Sequence, residues 1–257
     1  MTISTLSRKI VKGILIFLFW IAVWQIIAMA VDIEFLLPSP LATAKALVFN
    51  ASTKKFWLSV VYSLLRVILG FVFAVVVGSL LGFVTAKSSF LRALFAPILH
   101  KFRAAPVASF IILALVWINT DILPAFISFL MGLPIIWQTV QTALDNPNKE
   151  LLEAAEVFNL TKGQMFLYVT IPSAFPAFMS SAVTCLGFCW KSAVAAEVIC
   201  LPALAIGKGL FTAKQHLESP DVFAYTAVTV ILSMLIELLF KWVVKKSSER
   251  QVATDVD

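Results

Sequence analysis

Six apolar segments dominate the sequence and constrain its fold more than any other feature. A helix rises about 1.5 Å per residue, so roughly 20 apolar residues cross the hydrocarbon core of a bilayer. The third segment is short, and an earlier start within Leu91–Lys101 is an alternative for it. The segments are Ile14–Val31, Val67–Ala86, Ala104–Ile118, Ile122–Leu144, Phe175–Ile199 and Val222–Phe240.

The composition supports a membrane protein. Of the 257 residues, 61% are hydrophobic and 13% are charged, whereas soluble domains are about half apolar and a quarter charged. We therefore predict an all-α integral membrane protein with six transmembrane helices in the lipid bilayer. No repeat or linker divides the sequence, so we expect one domain over residues 1–257. The first segment is longer than a signal-peptide core, which favours a retained helix.

The distribution of Lys and Arg predicts the orientation. With the N-terminus inside, the outer segments contain only Lys45, Lys54, Lys55, Lys208 and Lys214, while most other cations lie in inner segments. The positive-inside rule then places both termini in the cytoplasm.

Two outer segments have features of their own. Ser39 is predicted to cap a helix that begins at Pro40, and Phe56–Leu65 is expected to lie along the outer surface. The second outer segment, Leu201–Asp221, is polar in its later half and is a candidate contact for an external partner or substrate.

A polar segment, residues 145–172, interrupts the apolar pattern on the predicted cytoplasmic side. Asn146 is expected to cap a short helix, Pro147–Phe158, whose first residue is proline. One apolar stripe follows this helix at i, i+4 and i+7, formed by Leu151, Ala155 and Phe158. A helix this short is marginal alone in water, so its stripe must pack on something. Docking on a partner and lying on the membrane or the chain's own bundle are equally open from periodicity.

The end of this short helix also has a sequence signature. Asn159 is expected to terminate it, because Asn tolerates the left-handed backbone conformation. Thr161 and Gln164 then have the spacing of a capping box at the start of the next helix. The segment therefore reads as two short helices joined by a tight turn.

Polar residues inside the apolar segments are candidates for a translocation path, because ionisable groups at membrane depth are rarely without function. One face of the fifth segment carries Ser181, Thr184, Phe188 and Lys191. As alternatives, Lys191 snorkels outward or pairs with Glu197. Ser192 and Gln138 are further path candidates, and Arg66 is expected to snorkel at the outer end of the second segment.

Several function classes lack sequence support. The chain has no Gly-x4-Gly-Lys-Ser/Thr loop for ATP, and no catalytic, cofactor-binding or metal-binding residues are predicted. The charges follow the membrane pattern, so no nucleic-acid partner is expected. Two classes remain: a permease driven by a partner ATPase, and a secondary transporter or channel that works alone.

The polar segment resembles a known family. Glu153-Ala-Ala155 and the downstream Ile171-Pro172 are similar to the cytoplasmic Glu-Ala-Ala loop of bacterial ABC importer permeases, with Asn159 where that family has Gly. Other stretches resemble the sulfonate/taurine/nitrate-type branch, namely Leu37-Pro-Ser-Pro40, Ser63–Gly70, Trp190–Glu197 and Ser219–Ala224.

The resemblance implies a fold, partners and roles. It implies a methionine-importer-like type I fold that pairs with a second permease copy, two ABC ATP-binding subunits and an extracytoplasmic substrate-binding protein in a bacterial inner membrane. The substrate would be a small anionic or heterocyclic solute, such as a sulfonate, taurine, nitrate or a vitamin precursor. The helix Pro147–Phe158 would be the coupling helix. Its ATPase-coupling residues would be Leu151, Glu153, Ala154, Ala155, Phe158 and Asn159.

Overall fold

The structure is a computed structural model that describes residues 3–104 and 106–254. Every regular element in these residues is helical, as predicted. A five-residue π-helical turn, Phe166–Thr170, separates α8 from α9. The α-helices are α1 (Ile3–Val31), α2 (Pro40–Ala51), α3 (Lys54–Lys87), α4 (Ser89–Ala104), α5 (Val107–Ala114), α6 (Leu123–Asp145), α7 (Lys149–Val157), α8 (Lys162–Met165), α9 (Ile171–Cys200), α10 (Ile206–Gln215) and α11 (Ser219–Thr254).

Within the described residues, 5 helical segments are long and apolar enough to cross a membrane. They are Val11–Val31, Lys54–Lys87, Leu123–Asp145, Lys162–Cys200 and Ser219–Val244.

The predicted third span, Ala104–Ile118, is wrong as a continuous helix. Helix α5 has only 8 residues, or about 12 Å of rise. Pro106 precedes it in an extended conformation, and proline lacks the amide that the interior of a helix needs. After α5, the backbone closes into tight turns up to α6.

The outer segments agree with one expectation and contradict another. The Ser39 hydroxyl accepts a 3.1 Å hydrogen bond from the amide of Ala42 and caps α2, as predicted. In contrast, Phe56–Leu65 does not form a separate surface helix. Thr53 caps a single 34-residue helix, α3, that continues through this stretch to Lys87.

The core is formed by α3, α6 and α9, which pack on one another. Close approach of α3 and α6 depends on glycine: a Cβ added at Gly82 would lie 2.8 Å from the carbonyl oxygen of Trp137 and 2.7 Å from Cβ of Val140. On the next face, Cys185 and Cys189 of α9 pack against Gly132 of α6. The small residues therefore pack helices within one chain.

Helix α1 lies at the periphery. Most of its described side chains are exposed, as expected for a helix surrounded by lipid. Its outer end is fixed by Trp24, whose indole N–H donates a 3.1 Å hydrogen bond to the carbonyl of Pro38 and whose ring stacks on Phe223 of α11.

Replacing Gly82 with leucine is expected to separate α3 from α6, because the added side chain meets backbone atoms that cannot move away cheaply. Overpacking of this kind costs about 1–3 kcal/mol or more. The measurement is the thermal unfolding midpoint of the purified chain in detergent. Gly13→Leu is the matched control, since nothing lies within 4 Å of a Cβ at Gly13. Equal midpoints for the two variants would contradict the close α3–α6 contact.

Candidate functional site

The polar segment contains the predicted short helix as α7, Lys149–Val157. The residue that caps it is Asn148 and not Asn146. The side-chain oxygen of Asn148 accepts hydrogen bonds from the amides of Glu150 (3.0 Å) and Leu151 (3.4 Å). The prediction that Asn146 caps a helix beginning at Pro147 is therefore wrong. Asn146 instead donates its side-chain N–H to the carbonyl of Thr142 at 3.1 Å and closes the end of α6.

The turn after α7 has the predicted geometry. Asn159 has a φ of 52°, in the left-handed region, and the amide of Leu160 bonds to the carbonyl of Ala155 at 3.1 Å. The capping box is confirmed: the Thr161 amide donates to the Gln164 side chain at 2.9 Å, and the Gln164 amide donates to the Thr161 hydroxyl at 3.4 Å.

The polypeptide is helical without interruption from α8 to the end of α9. Helix α8, the π-helical turn and α9 form one run over Lys162–Cys200. A π-helical turn inserts one residue into the α-helical ladder and often occurs at functional sites. Only Phe158–Thr161 therefore separates α7 from a long helix that crosses the membrane.

The residues of the predicted apolar stripe of α7 differ in exposure: two are exposed and one is buried. Phe158 is 78% exposed and Leu151 is 46% exposed, whereas Ala155 is only 3% exposed. Glu153 and Ala154 are also exposed. Ala155 belongs to the predicted stripe but not to its exposed part, because it is covered by the chain itself, one of the alternatives that periodicity left open. The exposed apolar surface of α7 and the residue after it includes Leu151, Phe158 and Val157, which is also 78% exposed.

A polar cluster surrounds Glu197 of α9, whose side chain is 1% exposed. Arg66 of α3, with 8% of its surface exposed, forms an ion pair with it at 3.2 Å. The expectation that Arg66 snorkels is therefore wrong, and the alternative that Lys191 pairs with Glu197 is excluded by this partner. A buried charge requires such a partner, because desolvation costs several kcal/mol per ion.

The remaining donors around Glu197 fix the outer loop that leads into α10. Ser63 donates to Glu197 at 2.8 Å and accepts the amide of Ile206 at 3.1 Å, and the amide of Gly207 donates to the same carboxylate at 3.2 Å. Arg66 also donates to the carbonyls of Asp121 (2.9 Å) and Leu204 (2.7 Å). The carboxylate thereby connects α3, the turn before α6, α9 and the start of α10.

A polar cleft of about 500 Å³ lies between α9 and α11. It is lined by Ser180, Val183, Thr184, Gly187, Phe188, Lys191, Glu237 and Lys241. Three predicted path residues, Thr184, Phe188 and Lys191, are thus brought together on one exposed face of an otherwise well-packed helix. A polar stripe of this kind is unsuited to lipid.

Two other predicted path residues do not reach this cleft. Ser192 is buried and donates its hydroxyl to the carbonyl of Phe188 at 2.7 Å, a common way for a helix to satisfy serine. Gln138 is exposed on α6 but does not line the cleft.

Glu237 was missed from the sequence. Its carboxylate lies 3.7 Å from the ammonium of Lys241, one turn along α11, and 3.0 Å from the position of a Cβ built on Gly187 of α9. An acidic residue inside the sixth apolar segment was the available signal, because carboxylates at membrane depth are as informative as cations.

These features can be compared with known proteins. Residues 74–250 match the sequence profile of the binding-protein-dependent transport system inner membrane component. The chain belongs to this permease family. The match includes α7 and the whole of the α9–α11 cleft, and the resemblance to ABC importer permeases is confirmed. The permease is accordingly a multi-pass protein of the inner membrane.

Individual relatives agree with this assignment. The permease is 25% identical to the taurine transport system permease protein TauC of Escherichia coli over 91% of its own length and 87% of the relative's. It is 26% identical to the nitrate import permease protein NrtB of Synechocystis over 75% and 73%. The inward-facing MetNI methionine ABC transporter gives a TM-score of 0.64 at 18% identity, over 76% of the permease and 98% of that chain. The last comparison supports the methionine-importer-like fold.

Replacing Glu197 with leucine is expected to lower the free energy of unfolding by about 3 kcal/mol, because Arg66 then loses its buried counter-charge and keeps only the exposed carboxylate of Asp121, 3.6 Å away. Thermal unfolding in detergent measures the effect, and adding Arg66→Met to Glu197→Leu should recover part of it. Arg92→Met is the control, since the Arg92–Asp145 pair is partly exposed and such pairs contribute at most about 1 kcal/mol. Similar losses for Glu197→Leu and Arg92→Met would refute the role of the buried pair.

Proposed function

We propose that this permease forms the translocation path of an ATP-driven importer for a small anionic or heterocyclic solute and works by alternating access. The observation that carries the proposal is α7, a capped helix with exposed apolar side chains next to a membrane-crossing helix. The curated relatives named for taurine and nitrate support an anionic substrate. ATP hydrolysis belongs to partner ABC subunits, and an extracytoplasmic binding protein delivers the substrate.

The proposed topology has six crossings within one domain, residues 1–257, with both termini in the cytoplasm. The remaining crossing is formed by α5 and the turns after it, and α4, which carries Arg92, Lys101 and Arg103, precedes it on the cytoplasmic side. A second permease copy completes the path. The lysine and arginine distribution supports this orientation.

In this proposal α7 is the coupling helix that sits in a groove of the ATPase. Leu151 and Phe158 supply its apolar contact, while Glu153 and Ala154 lie at the edge of the contact. Ala155 has a different task, because it attaches α7 to the permease itself. Asn159 sets the angle between α7 and the continuous run of α8 and α9. Since this run contains no loop, a displacement of α7 by the ATPase is transmitted to the whole of α9.

The α9–α11 cleft is the proposed substrate path. Lys191 provides a positive charge for an anion, and Thr184 provides a hydroxyl beside it. Glu237 and Lys241 add a second pair of charges on α11 at 3.7 Å. The path then consists of side chains of both signs with a net positive charge, which attracts an anion without trapping it.

On the outer side, the polar cleft between α2, α3, α10 and α11 is the proposed contact for the binding protein. It has a volume of about 320 Å³, and its lining includes Lys55, Lys208 and Asp221. Asn50 of α2 hydrogen bonds to Asp221, and the hydroxyl of Tyr225 donates to Asn50 at 3.2 Å, so this wall is rigid.

Replacing Phe158 with alanine is expected to weaken ATPase binding about 30-fold, because an exposed aromatic that fills a partner's pocket is a typical hot spot. The measurement is the affinity of the purified ATPase subunit for the permease in detergent, together with ATP-driven uptake in proteoliposomes. Phe35→Ala is the control, because Phe35 is also exposed but lies in the outer turn. Unchanged affinity for Phe158→Ala, or uptake by the permease without any ATPase, would overturn the proposal in favour of a stand-alone transporter or channel.

Replacing Lys191 with methionine is expected to lower the uptake rate of the anionic substrate about tenfold, the factor for about 1.4 kcal/mol of lost attraction. Lys191→Arg should retain uptake, because it keeps the charge. ATPase binding is measured in parallel and should be unaffected. Normal uptake by an assembled Lys191→Met complex would remove Lys191 from the path.

A further inference from the structure

An apolar crevice separate from the polar cleft lies between α3, α6 and the N-terminal part of α9. Its volume is about 510 Å³, within the roughly 300–1,000 Å³ range of ligand pockets. Ser79 is the only polar residue in its lining. The lining consists of Val76, Ser79, Leu80, Phe83, Val140, Ala143, Leu144, Phe166, Ile171, Ala174, Phe175 and Phe178.

The crevice exists because α9 lies close to α6 in one half of the bundle and not in the other. Further along α9, Cys185 and Cys189 approach Gly132 so closely that a Cβ there would lie within 3 Å of either sulfur. At the level of the crevice, α3 and α6 still touch at Gly82 and Val140. The space therefore lies between the α3–α6 pair and the N-terminal part of α9.

An ammonium group stands at one end of this apolar space. Nζ of Lys87, the last residue of α3, lies 4.1 Å from the ring centroid of Phe83 and 5.7 Å from that of Phe166. Both rings line the crevice and contact each other edge to face, with centroids 5.7 Å apart.

Lys87 has no carboxylate partner among the described residues, since none of their ion pairs includes it. The neighbouring cation differs in this respect, because Arg92 pairs with Asp145 at 2.6 Å. The crevice thus combines hydrocarbon-like walls with one uncompensated positive charge at the end of a membrane-crossing helix.

We propose that this crevice binds one anionic phospholipid of the leaflet at the Lys87 end. An acyl chain occupies the apolar space, and the lipid phosphate pairs with the ammonium of Lys87. Basic groups beside clefts between transmembrane helices at a leaflet boundary recognise anionic headgroups in this way, and a lysine at a helix end reaches the interface readily. The lipid is favoured as the occupant because it supplies in one molecule both the apolar chain and the negative charge that this crevice and Lys87 require.

The position of the crevice gives the lipid a structural task. Phe166 and Ile171 lie at the two ends of the π-helical turn that leads into α9. A bound acyl chain therefore fills the space between this turn and the α3–α6 pair. It keeps the N-terminal part of α9 at a fixed distance from α3 and α6.

Native mass spectrometry of the full-length permease tests the proposal, with phosphatidylglycerol and phosphatidylcholine added at equal concentration. We expect one phosphatidylglycerol to be retained preferentially by the wild type. Ala174→Phe fills the crevice and should abolish retention. Ala177→Phe is the matched control, because Ala177 is exposed on the same helix and does not line the crevice, and it should retain the lipid.

A second pair of variants tests the charge without changing the crevice. Lys87→Gln should lower the preference for phosphatidylglycerol about fivefold, the effect of one lysine near an anionic surface. Lys162→Gln removes an exposed cation near Phe166 and should leave the preference unchanged. Equal retention of the two lipids by the wild type would overturn the proposal, as would wild-type retention by Ala174→Phe. A loss of permease dimers in Ala174→Phe without a loss of lipid would assign the crevice to the second copy instead.

Discussion

The buried pair of Glu197 and Arg66 is the interaction on which the junction of α3, α9 and α10 depends. A charge in the hydrocarbon region is costly, so these side chains are stable there only while every donor around the carboxylate stays in place. Ser63 and the amide of Gly207 donate to the carboxylate, and the carbonyl of Leu204 accepts from Arg66, through bonds of 2.7–3.2 Å. Because these groups come from separate helices and loops, the network fixes the relative positions of α3, α9 and α10 with a directionality that apolar packing lacks.

The two ends of α9 differ in how firmly they are held. Its outer end carries Glu197 and is bonded to three other elements, whereas its inner end faces the apolar crevice and continues through the π-helical turn toward α7. A displacement applied at α7 therefore acts on the less constrained end. The cleft with Lys191 and Glu237 lies between these ends, so a tilt of α9 about its outer end changes the width of the cleft. Alternating access, as proposed, requires this coupling between a distant contact and the path.

Most local sequence signals predicted local structure correctly, and the cap assigned to Asn146 is an exception. Ser39, Asn159 and the Thr161–Gln164 box were correctly predicted, because caps and left-handed turns depend on a few adjacent residues. The helical class followed from the apolar segments. The break at Pro106 was missed, because the apolar run hid the effect of a proline near its start.

Contacts between residues far apart in the chain could not be predicted from the sequence. The partner of Glu197 lies 131 residues away in α3, and no periodicity within α9 indicates it. Ala155 was assigned to one stripe with Leu151 and Phe158 because helical spacing describes only the helix itself, not what covers it. Ser192 was expected in the path for the same reason. Glu237 was overlooked when only cations were considered at membrane depth.

The three cysteines of the chain, Cys185, Cys189 and Cys200, are all buried and unpaired. A bulky, water-soluble thiol reagent therefore has no native target on the folded surface. A single cysteine introduced at an exposed position of α7 or of the polar cleft can be labelled on an otherwise native background. The packing of small sulfur-containing side chains against Gly132 thus makes this permease suitable for spectroscopic distance measurements during its transport cycle.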